Sequence, residues 1–235
     1  MLDVVDRGDQ VRRLRDRWAG KGRNAWLQRV RNVVHVGANT GQEAALYARH
    51  GLGVLWIEPI PSVYRELVER IRRYPGQTSH NALVADVAGK TFTFHVSNNS
   101  GASSSIYGLA EHRQIWPTIE FEGTLELVSE TLDGILARDQ RTYDALVVTA
   151  QGAELLVLKG SMHHLQRFRY IQARAPDFNA YDGCATVDDL TSFLSERDFK
   201  LVRRDFFAEK PGGTGTYFDL LFTSSRNPPP SPPAA

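Results

Sequence analysis

Cysteine is almost absent. A single Cys184 among 235 residues excludes an intrachain disulfide and any zinc site built from several cysteines, and it suits a reducing compartment. A surplus of charge is missing too: 28 Lys and Arg face 27 Asp and Glu, a net of +1, so no field of one sign recruits nucleic acid or a membrane surface. No run approaches the ~18 apolar residues of a membrane span. Residues 1–17 are heavily charged and lack the apolar segment of a signal peptide. The expectation is a cytoplasmic protein with neither a nucleic-acid nor a membrane partner. The G-x-G-x-x-G spacing of dinucleotide-binding turns is also lacking, since Gly37 and Gly41 enclose Ala38-Asn39-Thr40, which weighs against a nicotinamide cofactor.

What is present centres on residues 33–41. The β-branched run Val33-Val34-His35-Val36 breaks at Gly37-Ala38-Asn39-Thr40-Gly41 and resumes with Gln42-Glu43-Ala44-Ala45-Leu46, the pattern of a buried strand, a tight turn and a helix start. Such a turn lets backbone N–H groups approach a nucleotide-like ligand. About 20 residues on, the strand Val54-Leu55-Trp56-Ile57 ends at Glu58, where an acid can accept hydrogen bonds from ribose hydroxyls.

The rest of the chain alternates strands and helices. Helices are expected over 42–50 and 61–73, a third strand over 81–86 ending in Asp86, and an alternating strand over 90–97. Residues 98–105 form a polar run with little to bury, read as a flexible surface loop or a lid carrying hydroxyls. Further strands are expected over 124–129, 143–149, 168–173, 199–203 and 216–222, with a helix N-cap at Thr186. The alternation predicts a parallel sheet with right-handed crossovers, whose ligands gather at the carboxyl ends of the strands. An N-terminal helical segment, 1–30, amphipathic over 11–30 and interrupted at Gly20-Lys21-Gly22, precedes the main domain, 31–225, and the proline-rich 226–235 has nothing to pack.

These motifs, taken in order, resemble the FkbM family of S-adenosylmethionine-dependent methyltransferases. The likeness rests on His35-Val36-Gly37-Ala38-Asn39-Thr40-Gly41, Trp56-Ile57-Glu58-Pro59, Ser97-Asn98-Asn99 with Ser103-Ser104-Ser105, Glu130-Thr131-Leu132-Asp133, Gln151-Gly152-Ala153-Glu154 and Pro176-Asp177-Phe178. The resemblance implies an α/β, Rossmann-like seven-stranded methyltransferase sheet, mostly parallel with a reversed last strand and helices on both faces. It also implies O-methylation of a sugar or other small hydroxylated metabolite. S-adenosylmethionine would lie against His35, Gly37, Ala38, Asn39 and Gly41, with Glu58 on the ribose and Asp86 near the adenine. Ser104, Ser105, Thr149 and Arg174 would face the acceptor.

Two positions depart from the family pattern. Members of this kind carry Asp where Thr149 stands and Glu where Arg174 stands, at the place where a base or a divalent cation would meet the acceptor. Threonine is no carboxylate and arginine reverses the charge, so no metal site is expected there. Asp177 and His35 are then the candidate catalytic bases. The alternative is a catalytically impaired S-adenosylmethionine-binding member serving as a scaffold or sensor.

Overall fold

The computed structural model describes residues 22–228. The expected amphipathic segment is therefore seen only in its last part, a short 3-10 helix at Ala25–Arg29; its earlier residues, and those of the proline-rich tail from 229 on, lie outside the described residues.

Ten strands build two sheets. In chain order β1 (Asn32–Val36), α1 (Ala44–Arg49), β2 (Gly53–Glu58), α2 (Pro61–Ile71) and β3 (Gln77–Asn81) lead into β4 (Leu83–Val84) and β5 (Thr91–Ser97). Then come α3 (His112–Ile115), β6 (Phe121–Glu130), α4 (Leu132–Ala137), β7 (Ala145–Val148) and α5 (Glu154–Lys159). The chain closes with β8 (Tyr170–Pro176), α6 (Val187–Ser195), β9 (Phe199–Glu209) and β10 (Thr216–Ser224). The main sheet has seven strands in the order β3-β2-β1-β7-β8-β10-β9. Its first five are parallel, while β10 runs antiparallel to both β8 and β9, the expected Rossmann-like sheet with a reversed last strand.

Strands buried on both faces read as continuous apolar runs, and alternate residues feed two cores. Val34, Val36, Leu146, Val148 and Ile171 pack with Leu132, Val157, Leu158 and Leu190 on one face. Val33, Val54, Trp56, Val147 and Leu221 pack with Trp26, Tyr47, Leu67 and Ile71 on the other. A chain reversal at Gly51 (φ +66°) closes α1, and Thr186 with Asp189 forms a reciprocal capping box at α6.

Several expectations are corrected. The third parallel strand is Gln77–Asn81, not 81–86. It lies at the sheet edge with one neighbour, so its residues are largely solvent-facing and polar and carry no apolar pattern. The buried pair Leu83-Val84 instead opens a second, three-stranded sheet by pairing with Ser129 and Glu130 of β6. The 98–105 run is no loose surface loop: Ser103, Ser104 and Ser105 are buried, because their polar atoms find partners in distant segments. Ser97 N–H donates to Ser104 Oγ (2.9 Å), Ser105 Oγ donates to the Gln151 carbonyl (2.7 Å), and Tyr181 Oη donates to the Ser103 carbonyl (3.2 Å). Strand β9 runs six residues beyond its expected end, paired with β10, and so delivers Phe207 to the site.

Gly160, just past α5, touches the small sheet so closely that a Cβ would collide with the Ala85 carbonyl oxygen, whereas one at Gly123 meets nothing within 4 Å. Gly160→Ala is expected to cost about 1–3 kcal/mol in urea denaturation, and Gly123→Ala to leave the midpoint unchanged or raised. Equal losses at both positions would contradict this packing.

Candidate active site

The carboxyl ends of β1, β2, β7 and β8 open into one cleft of about 1630 Å³, the place where parallel sheets gather ligands. The turn after β1 is its central wall. Gly37 (φ +77°) lies so close to the end of β7 that a Cβ would collide with the Thr149 carbonyl, so only glycine fits. Gly37 and Ala38 N–H both donate to the Ile57 carbonyl (3.0 and 3.1 Å). Asn39 (φ +46°) then turns its own N–H onto Glu58 Oε2 (2.8 Å), and Ile60 N–H donates to Oε1 (3.0 Å). Each carboxylate oxygen keeps a lone pair for a further donor. Burial pushes the Glu58 carboxyl up to about 7 against these two hydrogen bonds.

Backbone strain concentrates here. Of the four non-glycine residues at positive φ among those described, Asn39, Ser100 and Gln151 line the cleft, and such conformations persist where surrounding contacts hold them. Asn39 Nδ2 donates to the Ser100 carbonyl (3.0 Å). Gln151 donates from Nε2 to the Ala102 carbonyl (2.8 Å) and accepts at Oε1 from Tyr181 (2.9 Å). Gln151 thus ties the serine segment to the end of β7. The family resemblance includes Gln151 in a motif, but its role rests on partners 30 and 49 residues away, which sequence spacing does not show.

Of the twelve residues expected at the site, nine line the cleft: His35, Gly37, Ala38, Asn39, Gly41, Glu58, Ser104, Thr149 and Arg174. Three do not. Asp86 is exposed and outside the lining, because the third strand is not where it was expected; Leu83, Val84, Phe94 and Ile106 form an apolar wall there instead. Ser105 faces the fold, donating to Gln151 and accepting from Tyr107 N–H (3.1 Å). Asp177 is exposed and spends its carboxylate on Thr216 N–H (2.6 Å) and Arg204 (3.5 Å) at the β10 edge, so it is not placed to meet an acceptor.

The two departures from the family pattern have structural partners. Thr149 Oγ1 donates to the Gly37 carbonyl (2.9 Å), a bond an ionised carboxylate could not make; the position is a brace for the glycine turn. Arg174 Nε donates to Asp219 Oδ1 (2.8 Å), and its guanidinium lies 3.5 Å from the Phe207 ring centroid. Asp219 sits opposite Arg174 in the β10–β8 register, a pairing that only the tertiary fold reveals. Glu154 is buried, accepts from Gly152 N–H (2.9 Å), and is raised by burial to about 7; it holds the start of α5. Among the described residues no three His, Cys, Asp or Glu side chains cluster to hold a metal ion, and no helix is long and apolar enough to cross a membrane.

His35 forms part of the cleft floor. It stacks on Trp56 (centroids 4.9 Å) and meets Tyr47 Oη through Nδ1 (3.2 Å). Burial, with the Arg174 charge adding to it, pushes its imidazole down to about 3, so at neutral pH it is an uncharged and weak base.

Sheet order, the glycine turn and the acid at the end of β2 define a Rossmann-like fold of the methyltransferase type. The solved magnesium protoporphyrin IX methyltransferase from Synechocystis PCC 6803 shares it. With S-adenosylhomocysteine bound, that structure matches at a TM-score of 0.53 and 11% identity, over 96% of this chain and 90% of that one. With S-adenosylmethionine bound the values are 0.50, 12%, 96% and 87%. No curated protein matches the chain in sequence. A family model described as the methyltransferase FkbM domain matches residues 35–201, and the chain belongs to the FkbM methyltransferase family.

The buried, neutral His35 gives a direct check. Its ring resonances in a histidine-labelled sample are expected to stay fixed between about pH 8 and about pH 5, where an ordinary histidine titrates. A midpoint between about 6 and 7 would contradict this placement.

Proposed function

We propose that the cleft binds S-adenosylmethionine against Glu58 and the glycine turn, and that the protein methylates a hydroxyl of a small metabolite such as a sugar. The observation that carries this is the Glu58 carboxylate. It is buried, fixed by two backbone N–H groups, and has free lone pairs at the mouth of a glycine turn, which suits a ribose diol. The apolar wall of Leu83, Phe94 and Ile106 suits a flat base, and the donor's methionine end would then extend past Gly37 towards Thr149.

The donor supplies a methyl group already activated on a sulfonium. The chain's residues therefore act by orientation and by excluding water. Thr149 and Asn39 fix the turn, Glu58 fixes the ribose end, and Gln151 and Ser104 close the wall opposite. The acceptor hydroxyl is left in a polar pocket containing Arg174 and Glu43. A second reading, a donor-binding scaffold or sensor without turnover, is favoured by one specific observation: neither candidate base is placed for proton transfer, since Asp177 lies outside the cleft and His35 is buried and weakly basic. Formation of S-adenosylhomocysteine over a panel of hydroxylated acceptors separates the two, and its absence with every acceptor favours the scaffold.

Donor binding is the first test. Calorimetry is expected to show S-adenosylmethionine binding that Glu58→Gln weakens about 10–100-fold, the worth of charge-assisted hydrogen bonds. Affinity should also rise with pH through about 7 and then level off. Below that point the free protein holds Glu58 protonated, and hydroxyl donors favour the ionised form, so binding must expel a proton. Affinity that is flat or falling over this range, or unchanged by Glu58→Gln, would overturn the assignment.

A further inference from the structure

The acceptor end of the cleft carries a cation where chemistry by an acid or a metal would place an anion. Among the described residues Arg174 has one donor committed: Nε is held by Asp219, one face of the guanidinium is covered by Phe207, and the two terminal NH₂ groups meet no acceptor, while the side chain keeps 17% of its surface exposed and lines the cleft. Asp219 does not neutralise it alone, because the same carboxylate also takes Arg23 (3.3 Å). A guanidinium clamped at Nε and stacked on a ring has its fork pre-oriented, which lowers the ordering cost of receiving two oxygens of one anion.

The surrounding field points the same way. The cleft is lined by Arg49, Arg65, Arg70, Arg72, Arg73 and Arg174 against Glu43, Glu58, Glu66 and Glu69. Burial raises the Glu43 carboxyl from its ordinary value and takes that of Glu58 up to about 7. A chain of nearly zero net charge thus gathers positive potential at one opening, which raises the local concentration of anionic ligands. The titratable groups coupled to Arg174 from neighbouring elements are Glu43 and the buried Glu154 at the starts of α1 and α5, the neutral His35 of β1, and Tyr217 and Asp219 of β10.

We propose that Arg174 is a specificity-determining residue that receives an anionic group, a carboxylate or a phosphate, on the hydroxylated acceptor. This rests on the reading that the Glu58 half of the cleft takes the methyl donor, and it leaves Arg174 to the other half. The terminal NH₂ groups donate to the anion while Nε stays on Asp219, so the acceptor is anchored by its charge and its hydroxyl is set by the distance between the two groups.

The test uses the full chain saturated with S-adenosylhomocysteine, at fixed ionic strength, with D-glucose, D-glucuronate and D-glucose 6-phosphate as probes. Two readouts are followed: binding by calorimetry and the ¹⁵N resonance of the Arg174 Nε–H, assigned by its loss in Arg174→Gln. At least one anionic probe is expected to bind about tenfold or more tightly than glucose and to shift that resonance; which one does so separates carboxylate from phosphate. The preference should vanish in Arg174→Gln and be partly kept in Arg174→Lys; a loss of S-adenosylhomocysteine affinity in Arg174→Gln, which puts the donor's own carboxylate on the guanidinium, would overturn the proposal. If Arg174→Gln does not fold, Arg174→Lys and the wild-type resonance decide. Equal affinity for all three probes, no shift of the resonance with either anion, or a preference that survives Arg174→Gln would overturn the proposal. Failure of S-adenosylhomocysteine to bind the wild-type chain would instead strike the donor assignment.

Discussion

The close approach of Gly37 to the end of β7 governs the site. With no room for a Cβ beside the Thr149 carbonyl, the chain leaving β1 bends sharply, and the bend is fixed from both sides: Thr149 Oγ1 holds the Gly37 carbonyl, and the Ile57 carbonyl takes the next two N–H groups. That geometry turns the Asn39 N–H onto Glu58 and brings the strained Asn39 and Ser100 together. One steric constraint between neighbouring parallel strands thereby positions a carboxylate, a strained turn and the serine segment around a single cleft.

The same contact explains how the chain accommodates threonine at position 149. A carboxylate there would put negative charge beside the Gly37 carbonyl oxygen; the hydroxyl donates to it and stabilises the turn by roughly 0.5–1.5 kcal/mol. Arginine at 174 is likewise supported by its surroundings, through Asp219 across the β8–β10 pair and Phe207 from the extended β9. The Thr149 and Arg174 side of the cleft is a braced, cationic wall, while the Glu58 side has the acid and the backbone donors that suit a ribose.

Much of this was legible in the sequence, for reasons that can be named. The run 33–41 and the acid at 58 are local patterns, and strands covered on both faces announce themselves as unbroken apolar segments. The reversed last strand followed from the family likeness. What stayed hidden depends on partners far along the chain. Strand β3 is a polar edge strand with no alternation to read, so the sequence pattern points to the neighbouring apolar Leu83-Val84 instead, and Asp86 falls outside the cleft lining. The serines of 103–105 look like loop residues by composition, yet their burial depends on Ser97, Gln151 and Tyr181. Asp177 closes a strand pair through Thr216, a register that sequence spacing does not contain, and the burial that makes His35 a weak base comes with stacking on Trp56 and a tilted contact with Tyr47.

On the proposed reading, Glu58 and the glycine turn form the donor half of the cleft and leave the Arg174 side to the acceptor. A crystal structure with S-adenosylhomocysteine tests it most directly. Both ribose hydroxyls are expected within about 2.5–3.0 Å of the Glu58 carboxylate oxygens, with the adenine against Leu83 and Phe94 and the sulfur on the Thr149 side. A ribose beyond hydrogen-bond reach of Glu58, or a nucleoside seated against Arg174, would contradict it.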